Sequence, residues 1–101
     1  MKKALITGVT GFTGRYLAQE LAADDYQVIG LTHSSNQSLP TGVSKLHAVD
    51  LLNSHDLVEI VNLEKPDVVI HLAAISFVAH GDIEAIYRTN IVGTRNLLDA
   101  V

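Results

Sequence analysis

Thr7-Gly8-Val9-Thr10-Gly11-Phe12-Thr13-Gly14 is the stretch on which the fold of this chain turns. Three glycines recur at three-residue spacing. Residues 3–7 behind them form an apolar run that predicts a first strand, and residues 15–23 ahead place Leu17 and Leu21, with the small Ala18 and Ala22, on one side of a helix. The glycines therefore join a strand directly to a helix. Gly8 can take the tight turn leaving the strand, Gly11 bares the backbone for close approach, and Gly14 lets the helix pack closely on the strand. Residues 27–32, with Val28, Ile29 and Leu31, predict a second strand that completes a βαβ unit.

Beyond this unit, the segment from His33 to Ser44 is polar and predicts a loop, and residues 45–49 predict a third strand, shorter and more alternating, as suits an edge. Asp50 to Asn53 reads as a turn, Ser54 as the N-cap of a helix carrying Leu57, Val58, Ile60 and Val61, and Pro66 as its stop. The fourth strand is the apolar run Val68-Val69-Ile70-His71-Leu72-Ala73-Ala74, and a last helix is expected from near Ile83 to the end. Strands one, two and four are almost wholly apolar, as parallel strands covered on both faces must be. Right-handed crossovers then predict an α/β, doubly wound parallel sheet of Rossmann type with strand order 3-2-1-4.

Composition narrows the function. At 101 residues the chain supports one domain. A net charge of -4 with seven scattered basic residues gives no electrostatic reason to bind nucleic acid or an anionic membrane. The absence of cysteine excludes disulfides, thiolate metal sites and cysteine nucleophiles. The short apolar run after Met1 suits neither a signal peptide nor a membrane span, so the expected location is the cytoplasm. The five histidines, His33, His47, His55, His71 and His80, show neither i,i+4 partners nor a metal motif, so no metal site is expected. His71, inside an apolar strand, is expected to be a hydrogen-bonded core residue.

An acidic chain can still hold an anion on backbone groups. The N–H groups at a helix start, aided by the helix dipole, suit the pyrophosphate of a dinucleotide. The T-G-x-x-G-F-x-G pattern at residues 7–14 resembles that of the extended short-chain dehydrogenase/reductase family, the epimerase/dehydratase type. Asp50-Leu51, His71-Leu72-Ala73-Ala74, and the segment from Tyr87 through Asn90, Gly93 and Thr94 to Leu97, Asp99 and Ala100 resemble three further motifs of the family, in the same order. In texture the chain is most similar to the nucleotide-sugar reductases and dehydratases acting on GDP-linked 4-keto-6-deoxy-mannose and mannose.

The resemblance implies an NAD(P)-binding Rossmann domain over residues 1–101. It implies cofactor contacts from Gly8, Thr10, Gly11, Phe12, Thr13, Gly14, Arg15, Thr32, His33, Ser34, Asp50, Leu51, Leu72, Ala73, Ala74, Ser76 and Asn90. Asp50 would meet the adenine amino group, Asn90 would steady the active-site region, and Ser76 would lie on the nicotinamide side. No Asp or Glu stands at the end of the second strand, where a carboxylate would take the ribose hydroxyls and repel a 2′-phosphate. Thr32, His33 and Ser34, with Arg15, favour NADP, with NAD as the alternative.

The family's catalytic Y-x-x-x-K is absent: Glu20, Gly30 and Ile91 stand four residues after Tyr16, Tyr26 and Tyr87. Catalytic residues are therefore expected outside this chain, which reads as an incomplete domain of a longer protein and as inactive alone. The longer protein is expected to act on a nucleotide sugar and to form a homodimer. A non-catalytic NAD(P)-binding regulatory module, and a structural domain with a vestigial turn, are the alternatives.

Overall fold

The computed structural model describes residues 1–33, 38–72 and 93–101. Its elements are β1 (Lys3–Thr7), α1 (Phe12–Ala23), β2 (Gln27–Thr32), β3 (Val43–Ala48), α2 (Ser54–Glu64), β4 (Val68–His71) and α3 (Gly93–Ala100). The strands form one parallel sheet in the order β3-β2-β1-β4, as the sequence predicts.

Helices cover both faces. On one, Ala18 of α1 packs with Ile6, Val9, Val28 and Val43. On the other, Leu57 and Val61 of α2 and Leu97 of α3 pack with Leu5, Ile29 and Leu31. Alternation along β1 explains the division, since Leu5 and Ile6 must point to opposite faces. Both are fully buried.

The first two strands lie where the sequence places them; other boundaries differ. α1 starts at Phe12 rather than Arg15, because Gly14 sits inside its first turn rather than before it. β3 starts at Val43, whose side chain is buried beside β2, and ends at Ala48 rather than Val49. The cap of α2 is Asn53 rather than Ser54: Asp56 N–H donates to Asn53 Oδ1 at 3.2 Å, and Asn53 Nδ2 donates to Asp56 Oδ2 at 2.8 Å. This exchange satisfies an orphan helix donor, as a capping box does. α2 ends on Lys65 in the left-handed region (φ 49°), immediately before Pro66. β4 ends at His71, and Leu72, which the sequence places in that strand, already lies beyond it, its N–H donating to Thr7; Ala73, Ala74 and the start of the last helix near Ile83 lie outside the described residues.

Candidate functional site

The carboxyl ends of β1, β2 and β4 share one edge of the sheet, and Gly8, Thr32 and Leu72 directly follow or end those strands. The glycines of the turn separate by role. Gly8 has φ 70°, a conformation that costs other residues energy. Its carbonyl accepts from Gly11 N–H at 3.1 Å, closing the turn. A Cβ on Gly14 would lie 2.3 Å from the Gly8 carbonyl oxygen and 2.7 Å from Val9 Cα, so only glycine allows α1 to approach β1 this closely. Gly11 is different. Its backbone (φ -76°, ψ 172°) suits any residue, and among the described residues a Cβ there would meet only the Gly8 oxygen at an ordinary 3.4 Å. The fold itself does not require this position to be bare.

Around the turn, Thr10 is half-buried, while Thr13, Arg15 and Phe12 are exposed, the phenylalanine at 92%. No side chain caps α1. At the end of β2, Thr32 is buried, its carbonyl accepts from Val49 N–H at 2.9 Å, and His33 beyond it is exposed. No carboxylate occupies that strand end.

Asp50 is exposed, with Oδ1 accepting from Leu52 N–H at 2.9 Å in an Asx turn. Leu51 turns its side chain into the core, and its carbonyl accepts from Asn96 Nδ2 of α3 at 3.0 Å. Any contact of Leu51 with a ligand must therefore come from its backbone. Leu72 is half-buried against the cluster beneath α1. Ser34, Ala73, Ala74, Ser76 and Asn90 lie outside the described residues.

The sequence does not reveal the membership of two polar clusters. Glu64, at the end of α2, is only 1% exposed. Its Oε2 lies 2.7 Å from His47 Nε2 and 3.3 Å from Lys45 Nζ, its Oε1 lies 3.6 Å from Lys3 Nζ, and Lys3 Nζ also donates to its carbonyl at 3.0 Å. Burial alone would raise the Glu64 pKa, but hydrogen bonds from His47 and Lys45 and their charges outweigh it, so the carboxyl stays below its usual 4.5.

The second cluster is at the site itself. Thr7 Oγ1 and His71 Nδ1 are 2.7 Å apart, and His71 Nε2 and Thr94 Oγ1 are also 2.7 Å apart. Leu72 N–H donates to Thr7 Oγ1 at 3.0 Å and to the Thr7 carbonyl at 3.2 Å. Burial holds the His71 pKa below 6.5, so the ring is neutral at pH 7. His71 is the hydrogen-bonded histidine the sequence predicts. The signal for its partners is the pairing of polar Thr7 and His71 at the ends of two apolar strands.

Contrary to the sequence reading, one histidine does have an i,i+4 partner: His55 Nε2 meets Glu59 Oε1 at 3.2 Å on the exposed face of α2. No group of three or more His, Cys, Asp or Glu placed to hold a metal ion occurs among the described residues. No helix among them is long and apolar enough to cross a membrane.

The family model described as NAD dependent epimerase/dehydratase matches residues 4–101. The chain is 39% identical to a human GDP-mannose 4,6 dehydratase over 97% of its own length and 31% of that protein's. A GDP-mannose 4,6 dehydratase of Drosophila melanogaster is 36% identical over 99% of this chain and 29% of its own length. Among solved structures, a UDP-glucose 4-epimerase from Brucella ovis, in complex with NAD, superposes with a TM-score of 0.87. It is 31% identical over 99% of this chain and 32% of the epimerase. The chain thus spans about a third of the length of the proteins it matches.

Proposed function

The chain belongs to the NAD dependent epimerase/dehydratase family of extended short-chain dehydrogenases/reductases, and from that premise we propose that it is the cofactor-binding part of a nucleotide-sugar reductase, dehydratase or epimerase. Gly11 carries the proposal. Gly8 and Gly14 are glycines for conformational and packing reasons, whereas neither backbone nor packing demands a glycine at position 11. A bare, exposed position at an uncapped helix start fits a ligand whose phosphates approach the backbone.

In this reading the turn from Gly8 through Thr10, Phe12 and Thr13 to Gly14 holds the pyrophosphate, and Arg15 is a candidate partner of the 2′-phosphate. Asp50 and the Leu51 backbone flank the adenine. From the family resemblance, Leu72, Ala73 and Ala74 would line the cofactor, Ser76 would meet its nicotinamide side, and Asn90 would steady the active-site region. NADP is the favoured dinucleotide: the end of β2 carries Thr32, His33 and Ser34, with no carboxylate to repel a 2′-phosphate. When bound, the cofactor supplies hydride exchange with a sugar carbon. The chain's own residues bind and orient it, and the acid/base groups belong to the remainder of a longer protein, so this chain alone is inactive. The nucleotide-sugar substrate is carried over from the GDP-mannose dehydratases it resembles. From the family resemblance we further take the whole protein to be a cytoplasmic homodimer.

Gly11→Ala tests the reading. Loss of glycine at this N-cap should cost only about 0.5–1 kcal/mol of stability. Wild-type protein should gain about 2.7 kcal/mol in NADP at a hundred times its Kd, with a smaller gain in NAD at the same concentration, and the alanine variant should lose most of that gain. A wild-type melting temperature that neither dinucleotide moves would overturn the proposal.

A further inference from the structure

We propose that His71 is a positioning residue: by bridging Thr7 of β1 to Thr94 of α3, it sets where the chain leaves β4 relative to the glycine turn, and so governs dinucleotide affinity without touching the dinucleotide. The inference rests on the dinucleotide-binding reading above.

Layering on one sheet face supports it. Leu5 and Val69 are register partners on that face and belong to the cluster that includes Leu97 of α3. Thr7 and His71 form the next pair on the same face, and Thr94, three residues before Leu97, stands about one helical turn away. The apolar stripe therefore becomes polar at its last layer, beside the candidate site. His71 is half-buried; an apolar side chain there would continue the core without an imidazole to desolvate, and a polar group drawn even partly out of water needs bonds in exchange. His71 meets that condition at both nitrogens.

The consequence is directional. In the neutral ring one nitrogen donates and the other accepts, so two different bonds fix its orientation. Thr7 immediately precedes Gly8, and its hydroxyl and carbonyl both accept from Leu72 N–H. The Thr7 limb thus ties the exit of β4 to the entry of the turn, while the Thr94 limb anchors the ring to α3.

Isosteres separate the limbs. An Asn amide reaches the position of Nδ1 and keeps the Thr7 contact; a Gln amide reaches that of Nε2 and keeps the Thr94 contact. Calorimetric titration with NADP and thermal melts of wild type, His71→Asn and His71→Gln form the test. His71→Gln should lose about tenfold in affinity, the worth of one hydrogen bond, and His71→Asn should restore most of it although the two variants melt at similar temperatures. Thr7→Val removes the same limb from β1 and carries the test if His71→Gln does not fold. It should weaken NADP to a similar extent, with little further loss in the double variant.

Equal affinities for His71→Asn and His71→Gln, or losses that simply follow melting temperature, would overturn the positioning role while leaving the binding reading intact. Wild-type protein that binds no dinucleotide would overturn both.

Discussion

Two polar clusters occupy the same face of one sheet, at opposite ends of β1, and they are built differently. At the first residue of β1, Lys3 joins Lys45 and His47 around the buried carboxylate of Glu64. At the last, Thr7 joins His71 and Thr94 in a chain without formal charge at neutral pH. The five residues of β1 separate them by about 13 Å. Long lysines can reach a buried carboxylate while their own ends stay near water, so the charged cluster tolerates loose geometry. The neutral chain relies on short directional bonds. Among the described residues, the buried carboxylate stands at the other end of β1, away from the glycine turn where phosphates are proposed to bind. One cluster secures the fold by charge, and the other holds the proposed site by geometry.

The largest expected effect breaks the site end alone. Gly14→Ala drives a Cβ into the Gly8 and Val9 backbone. It should cost about 3 kcal/mol or more in denaturant unfolding and abolish the thermal response to dinucleotide. A variant of near-native stability would mean that α1 can move off β1, and the geometric half of the comparison would fall.

Next is the charged end. Glu64→Ala should cost about 2 kcal/mol, at the weak side of broken buried ion pairs because the lysines left behind can turn to water. Side-chain exposures of 33% for Lys3 and 52% for Lys45 support that discount. Dinucleotide affinity should fall no more than this loss of stability accounts for. A specific loss of affinity would show that the two ends are coupled.

Acid sharpens the contrast, since the clusters fail in different windows. The folded pKa of His71 lies below 6.5, so the unfolded chain binds the proton first and stability declines as pH drops below about 6.5. Glu64 likewise lies below 4.5 when folded, and its contribution, complete above that pH, is lost as pH falls beneath it. Unfolding free energy followed from pH 8 to pH 3 should lose its upper slope in His71→Asn and part of its lower slope in Glu64→Gln. Identical profiles for the two variants would erase the distinction.

The smallest effect is expected at Lys45→Met. Its side chain is half-exposed and Glu64 keeps His47 and Lys3, so the change should stay within about 1 kcal/mol in the same denaturation assay.

Much of the architecture was legible in the chain. The apolar runs of β1 and β2 are flanked by strong breakers, Gly8 and Asp24-Asp25, and both strands lie where they were expected. β3 and α1 begin earlier than their local signals predict, since Val43 follows a polar loop and Gly14 is a poor helix former by itself; burial against β2 and close packing on β1 override those signals. At α2 the sequence points to Ser54 as the cap, but Asn53 takes that place because Asp56, three residues on, exchanges hydrogen bonds with it. Roles for Gly8 and Gly14 follow from spacing, whereas only the packing of the turn shows that position 11 has room for a Cβ and is bare for another reason. The sheet order follows from apolar strands and right-handed crossovers, rules that act between neighbours in sequence and so can be read along the chain. The clusters could not be read this way. Lys45 and His47 alternate like an exposed edge strand, and their carboxylate stands 17 residues beyond His47; Thr7 and His71 are 64 residues apart. Whether such polar groups repel, pair or point to water depends on distance in space and on the exclusion of solvent, and only the packing of α2 and α3 against the sheet determines both.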